Sequence, residues 1–183
     1  MNIFTNTKTF SNIAKLTLMT TIVGLCSFGQ TFSQNITVNP GAGSYPTLQA
    51  AFAAINAGTH TGAVVVTVVG NTTETATAVL NASGAGGANY TSVSIQPSGG
   101  AARTISGSVT GDLVLLDGAD NVNINGLKTG GNSLTISNSA TGSSNTIKLV
   151  NDATNNTITN CALQGSASTL QFGVINFGTC IAT

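Results

Sequence analysis

An internal repeat constrains this chain more than any other feature of its sequence. The stretch from Leu113 to Leu127 returns as the stretch from Ile147 to Cys161, at a constant offset of 34. In each copy, short aliphatic runs alternate with Gly, Asn, Asp and Ser, a pattern typical of brief strands joined by turns. The sequence therefore predicts an all-β solenoid whose successive turns stack their strands. The offset aligns Asn121 with Asn155, Leu115 with Leu149, Leu116 with Val150, Ala119 with Ala153, Ile124 with Ile158, Gly131 with Gly165 and Thr135 with Thr169.

The aliphatic runs also locate the strands. Residues 63–69 form a nearly unbroken β-branched run, which predicts a strand buried on both faces. Looser matches relate Val93 to Val122 and Ile105 to Ile136, at offsets of 29 and 31. Loops of a solenoid can change length without disturbing the stacked strands, so these segments are assigned to an earlier turn. The predicted strands are residues 35–38, 63–69, 77–80, 93–95, 103–105, 113–116, 122–124, 134–136, 147–150, 157–158, 169–170 and 174–177.

One segment, residues 45–58, has helical periodicity instead. Its apolar residues recur at i, i+3, i+4 and i+7. Thr47 can cap the N-terminus of this helix, and Gly58 can end it in the left-handed conformation. Because the end of a solenoid exposes an apolar interior, we expect this helix to be an N-terminal cap. The predicted buried stripe consists of Leu48, Ala51, Phe52 and Ile55.

Residues 1–33 are predicted to be a secretory signal peptide. Lys8 and Lys15 precede an apolar run over residues 16–28, which is too short to span a bilayer as a helix. Thr31 and Ser33 are the small residues that a cut before Gln34 requires. We therefore expect a secreted or cell-surface protein. Lipid anchoring through Cys26 is disfavoured, because Leu25 before it is not small.

Removal of the signal leaves few charges. Three cations, Arg103, Lys128 and Lys148, stand against five acidic residues, a formal charge of −2. Nucleic acids and anionic membrane surfaces are held through clustered Lys and Arg, so neither is an expected partner. Only 5% of the chain is charged, so hydroxyl and amide side chains must solvate its surface.

Three segments follow from these patterns. They are the signal peptide at 1–33, an N-terminal strand with the capping helix at 34–62, and parallel solenoid turns at 63–183. The sequence stops in the middle of a turn, which favours a fragment of a longer protein over an end covered by another subunit. Export would permit a disulfide between Cys161 and Cys180. A buried thiol is favoured for Cys161, because the repeat aligns it with Leu127.

The segment Gly43-Ser-Tyr-Pro-Thr-Leu-Gln-Ala-Ala51 resembles the entrance of right-handed parallel β-helix proteins of the pectin-lyase-like superfamily. The Asn- and Gly-punctuated repeats that follow it strengthen this resemblance. The mature chain also looks like the N-terminal part of large bacterial surface proteins exported by the type IX route. The resemblance implies a right-handed parallel β-helix with an N-terminal capping α-helix.

The repeat marks two sets of candidate site residues. Asn121 and Asn155 occupy the same turn position, where stacked asparagines tolerate left-handed backbone and can exchange side-chain hydrogen bonds. We interpret them as a structural ladder rather than as sugar ligands. Asp117 and Asp152 could approach across adjacent turns and bind calcium, but turn aspartates, Asp120 among them, more often accept local hydrogen bonds. No cofactor is predicted.

Enzymes of the resembled superfamily use paired aspartates, often with an arginine or calcium, but that pairing is poor in this chain. Arg103 is the only arginine. His60 lies in a Thr- and Gly-rich segment without a nearby carboxylate, which favours a solvated loop histidine over a catalytic one.

We therefore expect a non-catalytic scaffold or adhesin whose partners are extracellular polysaccharide or a neighbouring cell surface. The alternative is the N-terminal segment of a polysaccharide-active lyase, esterase or hydrolase. Ice or mineral binding through threonines such as Thr75 and Thr77 lacks the turn-to-turn threonine register that it would require.

Overall fold

The computed structural model describes residues 33–178. The predicted signal segment up to residue 32 and Cys180 lie outside this range. The described chain contains one helix, α1 (Leu48–Asn56), and thirteen strands. The strands are β1 (Gln34–Val38), β2 (Thr61–Val68), β3 (Thr72–Glu74), β4 (Ala78–Asn81), β5 (Asn89–Pro97), β6 (Ala102–Gly107), β7 (Gly111–Asp117), β8 (Val122–Asn125), β9 (Ser133–Asn138), β10 (Ser144–Val150), β11 (Thr157–Thr159), β12 (Cys161–Gly165) and β13 (Ile175–Phe177).

The strands form three parallel sheets, which confirms the predicted solenoid. Sheet A has the order β1-β2-β5-β8-β11, sheet B the order β3-β6-β9-β12, and sheet C the order β4-β7-β10-β13. From β2 onwards the chain visits A, B and C in that order, so each of four rounds adds one strand to every sheet. β1 precedes these rounds in sheet A, and the solenoid has about five turns in all. Aliphatic side chains from all three sheets fill the interior. Within residues 33–178, no helix is long and apolar enough to cross a membrane.

Sheet A keeps the predicted register. Ile95 pairs with Ile124, and Ile124 with Ile158, so the same inner row continues through three turns. The prediction that residues 63–69 are buried on both faces is wrong. In β2, Val64, Val66 and Val68 are buried, whereas the residues between them are half-exposed. The reason is that neighbouring turns lie beside a solenoid strand and not above its outer face.

Sheet C is one residue out of step with the sequence repeat. Leu149 pairs with Leu116, and Lys148 pairs with Leu115, so the expected stacking of Leu115 on Leu149 is wrong. Leu116 and Leu149 are buried, while Leu115 lies on the outer face. The corner that leads from sheet C to sheet A is one residue longer in the later turn, so the strand before it is shifted by one residue relative to the sequence repeat. A one-residue shift moves a side chain to the opposite face of its strand.

Sheet B departs further from the repeat. Ile136 pairs with Leu163, at an offset of only 27, and β12 follows β11 after the single residue Asn160. The predicted strand at residues 169–170 is therefore wrong, as is the match of Cys161 to Leu127. Cys161 pairs with Leu134 and is partly buried against the core. The loop that separates sheets A and B in the preceding turn has shortened, so the offset between paired residues falls from 34 in sheet A to 27 in sheet B. It rises only to 28 in sheet C.

Helix α1 has the predicted caps and the predicted buried stripe. The Thr47 hydroxyl accepts a hydrogen bond from the Ala50 amide at 3.1 Å, and Gly58 has a φ of +76° just past the C-terminus. All four residues of the stripe are buried. The helix contacts the first strands of the three sheets, β1, β3 and β4, most extensively β4. A role as a lid for the stack remains a prediction.

Two side chains join α1 to the sheets. The Asn56 amide donates to the Val79 carbonyl at 2.9 Å and accepts from the Asn81 amide at 3.0 Å, so it pairs with β4 as a neighbouring strand would. The carboxylate of Glu74 is 1% exposed and accepts from the backbone amides of Leu48 and Gln49 at 3.0 and 2.9 Å. The unpaired amides and partial positive charge of a helix N-terminus stabilise such a buried anion.

Candidate functional site

The acidic residues singled out by the sequence lie at the corner between sheets C and A. We call this the C–A corner and define it as residues 117–121 of one turn and 151–156 of the next. Its backbone turns sharply, because Asn121, Asn151, Asp152 and Asn155 all have positive φ, between 53° and 60°. Asn and Asp tolerate this conformation better than other non-glycine residues.

Two aspartates of this corner accept hydrogen bonds from the following turn. The Asn151 amide donates to Asp117 Oδ1 at 2.5 Å. The Thr154 hydroxyl and backbone amide donate to Asp120 Oδ1 at 2.7 and 2.6 Å. These bonds, the hydroxyl first, lower the pKa of Asp120. Both carboxylates therefore tie one turn of the solenoid to the next.

Asp152 has different surroundings. It is exposed. The side chain that bonds to Asp117 across the corner belongs to the preceding residue, Asn151, and is an amide rather than a second carboxylate. Within residues 33–178, no group of three His, Cys, Asp or Glu side chains is placed to hold a metal ion. Calcium binding by Asp117 and Asp152 remains a prediction.

The asparagines of the corner have two different structural roles. Asn121 and Asn155 supply the left-handed backbone, but the described residues show no side-chain hydrogen bond between these two. Asn156 instead accepts from the Val122 amide and donates to the Ala119 carbonyl, both at 2.8 Å. Sequence reasoning missed this bridge. The sequence did contain an indication of this bridge, because the next copy of the repeat has asparagine at the position of the core residue Val122.

Tyr90 lies near the corner and is buried. Its hydroxyl donates to the Asn81 carbonyl at 2.5 Å. Burial, and secondarily the negative charge of Asp120, raise the pKa of Tyr90 to about 12. Tyr90 is therefore a neutral hydrogen-bond donor in the physiological range, unsuited to act as a base.

His60 is better anchored than a solvated loop residue. Its ring is half-buried, with Nε2 at 2.6 Å from the Tyr45 hydroxyl and Nδ1 at 3.0 Å from Gln34 Oε1. The Tyr45 and His60 rings meet edge to face, with centroids 5.6 Å apart. These contacts fasten the segment after α1 to β1. The periodicity of the sequence gives no indication of them, because the three residues come from separate segments.

Arg103 and Cys161 also lie among structural contacts. Arg103 donates from Nε to the Ser98 carbonyl at 3.1 Å, which holds the loop before β6. Burial raises the pKa of the Cys161 thiol. Its Sγ lies 3.1 Å from the Thr159 carbonyl. A thiol with a raised pKa is a poor nucleophile at neutral pH.

The outer faces of sheets A and B are uncharged and mostly polar, with apolar exceptions such as Val65 and Ala162. The strands of these two sheets carry only two charged residues, the buried Glu74 and the loop-bound Arg103. On sheet A, Ser94, Asn123 and Thr157 lie in register on successive strands. On sheet B, Ser106, Ser137 and Gln164 do the same. Hydroxyl and amide groups thus repeat from strand to strand at about 4.8 Å.

Comparison with protein-family models, curated proteins and solved structures finds no match to this chain. Membership of the pectin-lyase-like superfamily and export by the type IX route therefore rest on the sequence resemblance alone.

Proposed function

We propose that this chain is a secreted or cell-surface β-solenoid scaffold or adhesin, without catalytic activity, that contacts carbohydrate. The observation that carries the proposal is the pair of uncharged hydroxyl- and amide-bearing faces on sheets A and B. Hydroxyl and amide side chains are matched to the hydroxyl groups of polysaccharides. The resemblance of Gly43–Ala51 to β-helix entrances, and of the repeats to type IX surface proteins, supports the same setting.

The arrangement of titratable groups supports a non-catalytic role. General acid–base catalysis needs two groups within reach of one reacting atom, with pKa values suited to their tasks. Asp117 and Asp120 already accept hydrogen bonds from the next turn, and Tyr90 is buried. His60 is bound by an amide and a phenol rather than by a carboxylate. The described corner is therefore built for cohesion between turns.

An assay for polysaccharide turnover tests this proposal. The full chain is incubated with pectin, alginate and xylan, with and without calcium. We expect no reducing ends, no unsaturated products and no methanol above a blank. Turnover that disappears in Asp117→Asn, Asp120→Asn or Asp152→Asn would overturn the scaffold role and favour a polysaccharide-active lyase, esterase or hydrolase.

Export is tested separately, by expression in a bacterium with a complete secretion pathway. We expect the exported protein to begin at Gln34, as read by N-terminal sequencing. Retention of residues 1–33 on a protein found inside the cell would contradict the secreted location and leave the turnover result unaffected.

A further inference from the structure

The connection between sheets B and C in the last described turn presents an exposed aliphatic side chain. The connection between β12 and β13, which we call the B–C loop, spans residues 166–174. It is one residue longer than the same corner one turn earlier, because Gly165 pairs with Asn138 at an offset of 27 and Ile175 with Ile147 at an offset of 28. Loops on a regular scaffold are common places for binding sites. The B–C loop contains Leu170, whose side chain is fully exposed.

The B–C loop is held in place by hydrogen bonds to the turn below it. Ser168 accepts from the Gly142 amide at 3.0 Å, and the Thr169 hydroxyl donates to the Gly142 carbonyl at 3.1 Å. The Gly173 amide donates to Asn145 Oδ1 at 2.9 Å. Leu170 is therefore presented from a segment that is fixed on both sides. A loop whose backbone is already held in place loses less entropy on binding than a mobile loop.

The loop encloses one side of a cleft of about 540 Å³. The lining combines two apolar side chains with four uncharged polar ones: Ser143, Ser168, Thr169, Leu170, Gln171 and Phe172. This volume lies within the range of small-molecule sites, which also pair apolar walls with a few polar groups. The lining contains no charged residue, so an anionic ligand would lose its hydration without gaining a counter-charge.

We propose that this cleft binds a neutral sugar ring of a glycan. A pyranose has an apolar C–H face and a rim of hydroxyl groups, and the cleft offers Phe172 and Leu170 for the first and Ser143, Thr169 and Gln171 for the second. This inference rests on the proposed carbohydrate contact and assigns it a place and a ligand class. It differs from the flat outer faces of sheets A and B, which carry no aromatic side chain on the rows described above.

The test uses isothermal titration of the full chain with neutral hexasaccharides of glucose, xylose and mannose, and with the anionic hexagalacturonate. Leu170→Ser and Phe172→Ala change the cleft. Leu170→Ser should leave the urea midpoint unchanged, since its side chain is fully exposed, and so remains informative if Phe172→Ala unfolds the loop. Phe177→Ala is the matched control, because Phe177 is an exposed phenylalanine of the same turn that does not line this cleft.

We expect at least one neutral hexasaccharide to bind, each cleft variant to weaken that binding by about tenfold or more, and the control to leave it unchanged. Equal binding by Leu170→Ser and the parent would overturn the cleft while leaving glycan contact through the sheet faces. Preference for hexagalacturonate, or no binding of any neutral hexasaccharide, would also overturn it. Binding of an apolar dye in the cleft that no sugar displaces would overturn the sugar assignment as well. None of these results affects the turnover assay. Failure of the cleft proposal can therefore be distinguished from failure of the scaffold proposal.

Discussion

Ile124 lies in register with Ile158 in the inner row of sheet A, but the two side chains are not buried to the same degree. Ile124 is 1% exposed, whereas Ile158 is only partly buried. We expect Ile124→Ala to lower the free energy of unfolding by about 2–5 kcal/mol through the cavity it leaves, and Ile158→Ala to cost less. Urea unfolding measures both. Asn123→Ala, on the exposed face of the same strand, is the control, and an equal loss in the two isoleucine variants would contradict the observed packing.

The second prediction concerns the edge of sheet C. Asn56→Ala leaves the Val79 carbonyl and the Asn81 amide without their partner, so we expect a loss of about 1–3 kcal/mol. Gln49→Ala on the same helix is the control, because the Gln49 side chain makes no hydrogen bond among the described residues. A loss for Asn56→Ala no larger than for the control would show that water replaces the amide at no cost.

A buried hydroxyl gives the third prediction. Thr72 is 1% exposed, and its Oγ1 is a buried polar atom without a hydrogen-bond partner in the described chain. It pairs with Ile105, whose side chain fills the same inner row. Thr72→Val replaces the hydroxyl by a methyl group of similar shape, and we expect it to raise the free energy of unfolding by about 1 kcal/mol. Thr73→Val, at the exposed neighbouring position, should change it by less than about 0.5 kcal/mol. Destabilisation by Thr72→Val would indicate a bound water at the hydroxyl.

The fold was predictable because inner rows of aliphatic side chains repeat while loops vary. The register from Val93 to Val122 and from Thr104 to Thr135 was read correctly at two different offsets. The errors come from corners of unequal length. The single offset of the sequence repeat fits sheet A alone, since one residue is added before Ile158 and the connection after it is shorter. Corner length depends on contacts between turns, which periodicity does not encode.

The sequence predicted which residues lie at the candidate site but not which residues form hydrogen bonds to them. The sequence indicated that Asp117 and Asp120 lie at one corner, and the structure adds that Asn151 and Thr154 are their donors. The B–C loop could not be foreseen, because Thr169 and Leu170 match the strand residues of the earlier copy in the alignment. In the structure this strand lies instead at Cys161–Gly165.

The fourth prediction concerns alkaline pH. The pKa of Tyr90 is raised to about 12 from an ordinary value of 10.0, because its hydroxyl is buried. The folded state therefore holds this proton more tightly than the unfolded state, so the stability contributed by Tyr90 is complete below pH 10 and is lost as pH rises from there towards 12. Ultraviolet titration of a Tyr45→Phe background isolates Tyr90, since the chain has two tyrosines. Tyr90→Phe should lack this loss of stability, and a folded-state midpoint near 10 would contradict the burial.

The last prediction concerns Asp120, whose pKa is lowered mainly by the Thr154 hydroxyl and then by the Thr154 backbone amide. Thr154→Val removes only the hydroxyl, so we expect the pKa of Asp120 to rise towards its ordinary value without reaching it. Carboxyl chemical shifts followed through an acid titration measure the change, with Thr154→Ser as the matched control that keeps the donor.

The lowered pKa also determines how the stability of the fold depends on pH. A lowered pKa means that the folded state favours the ionised carboxylate, so the contribution of Asp120 is present above its unfolded pKa and is lost as pH falls through the folded one. Parent and Thr154→Val should therefore differ less in unfolding free energy at low pH than at neutral pH. An unchanged Asp120 pKa in Thr154→Val would show that the hydroxyl does not stabilise the carboxylate in solution, and the contribution of Asp120 to the contact between these turns would then come from its bond to the Thr154 backbone amide.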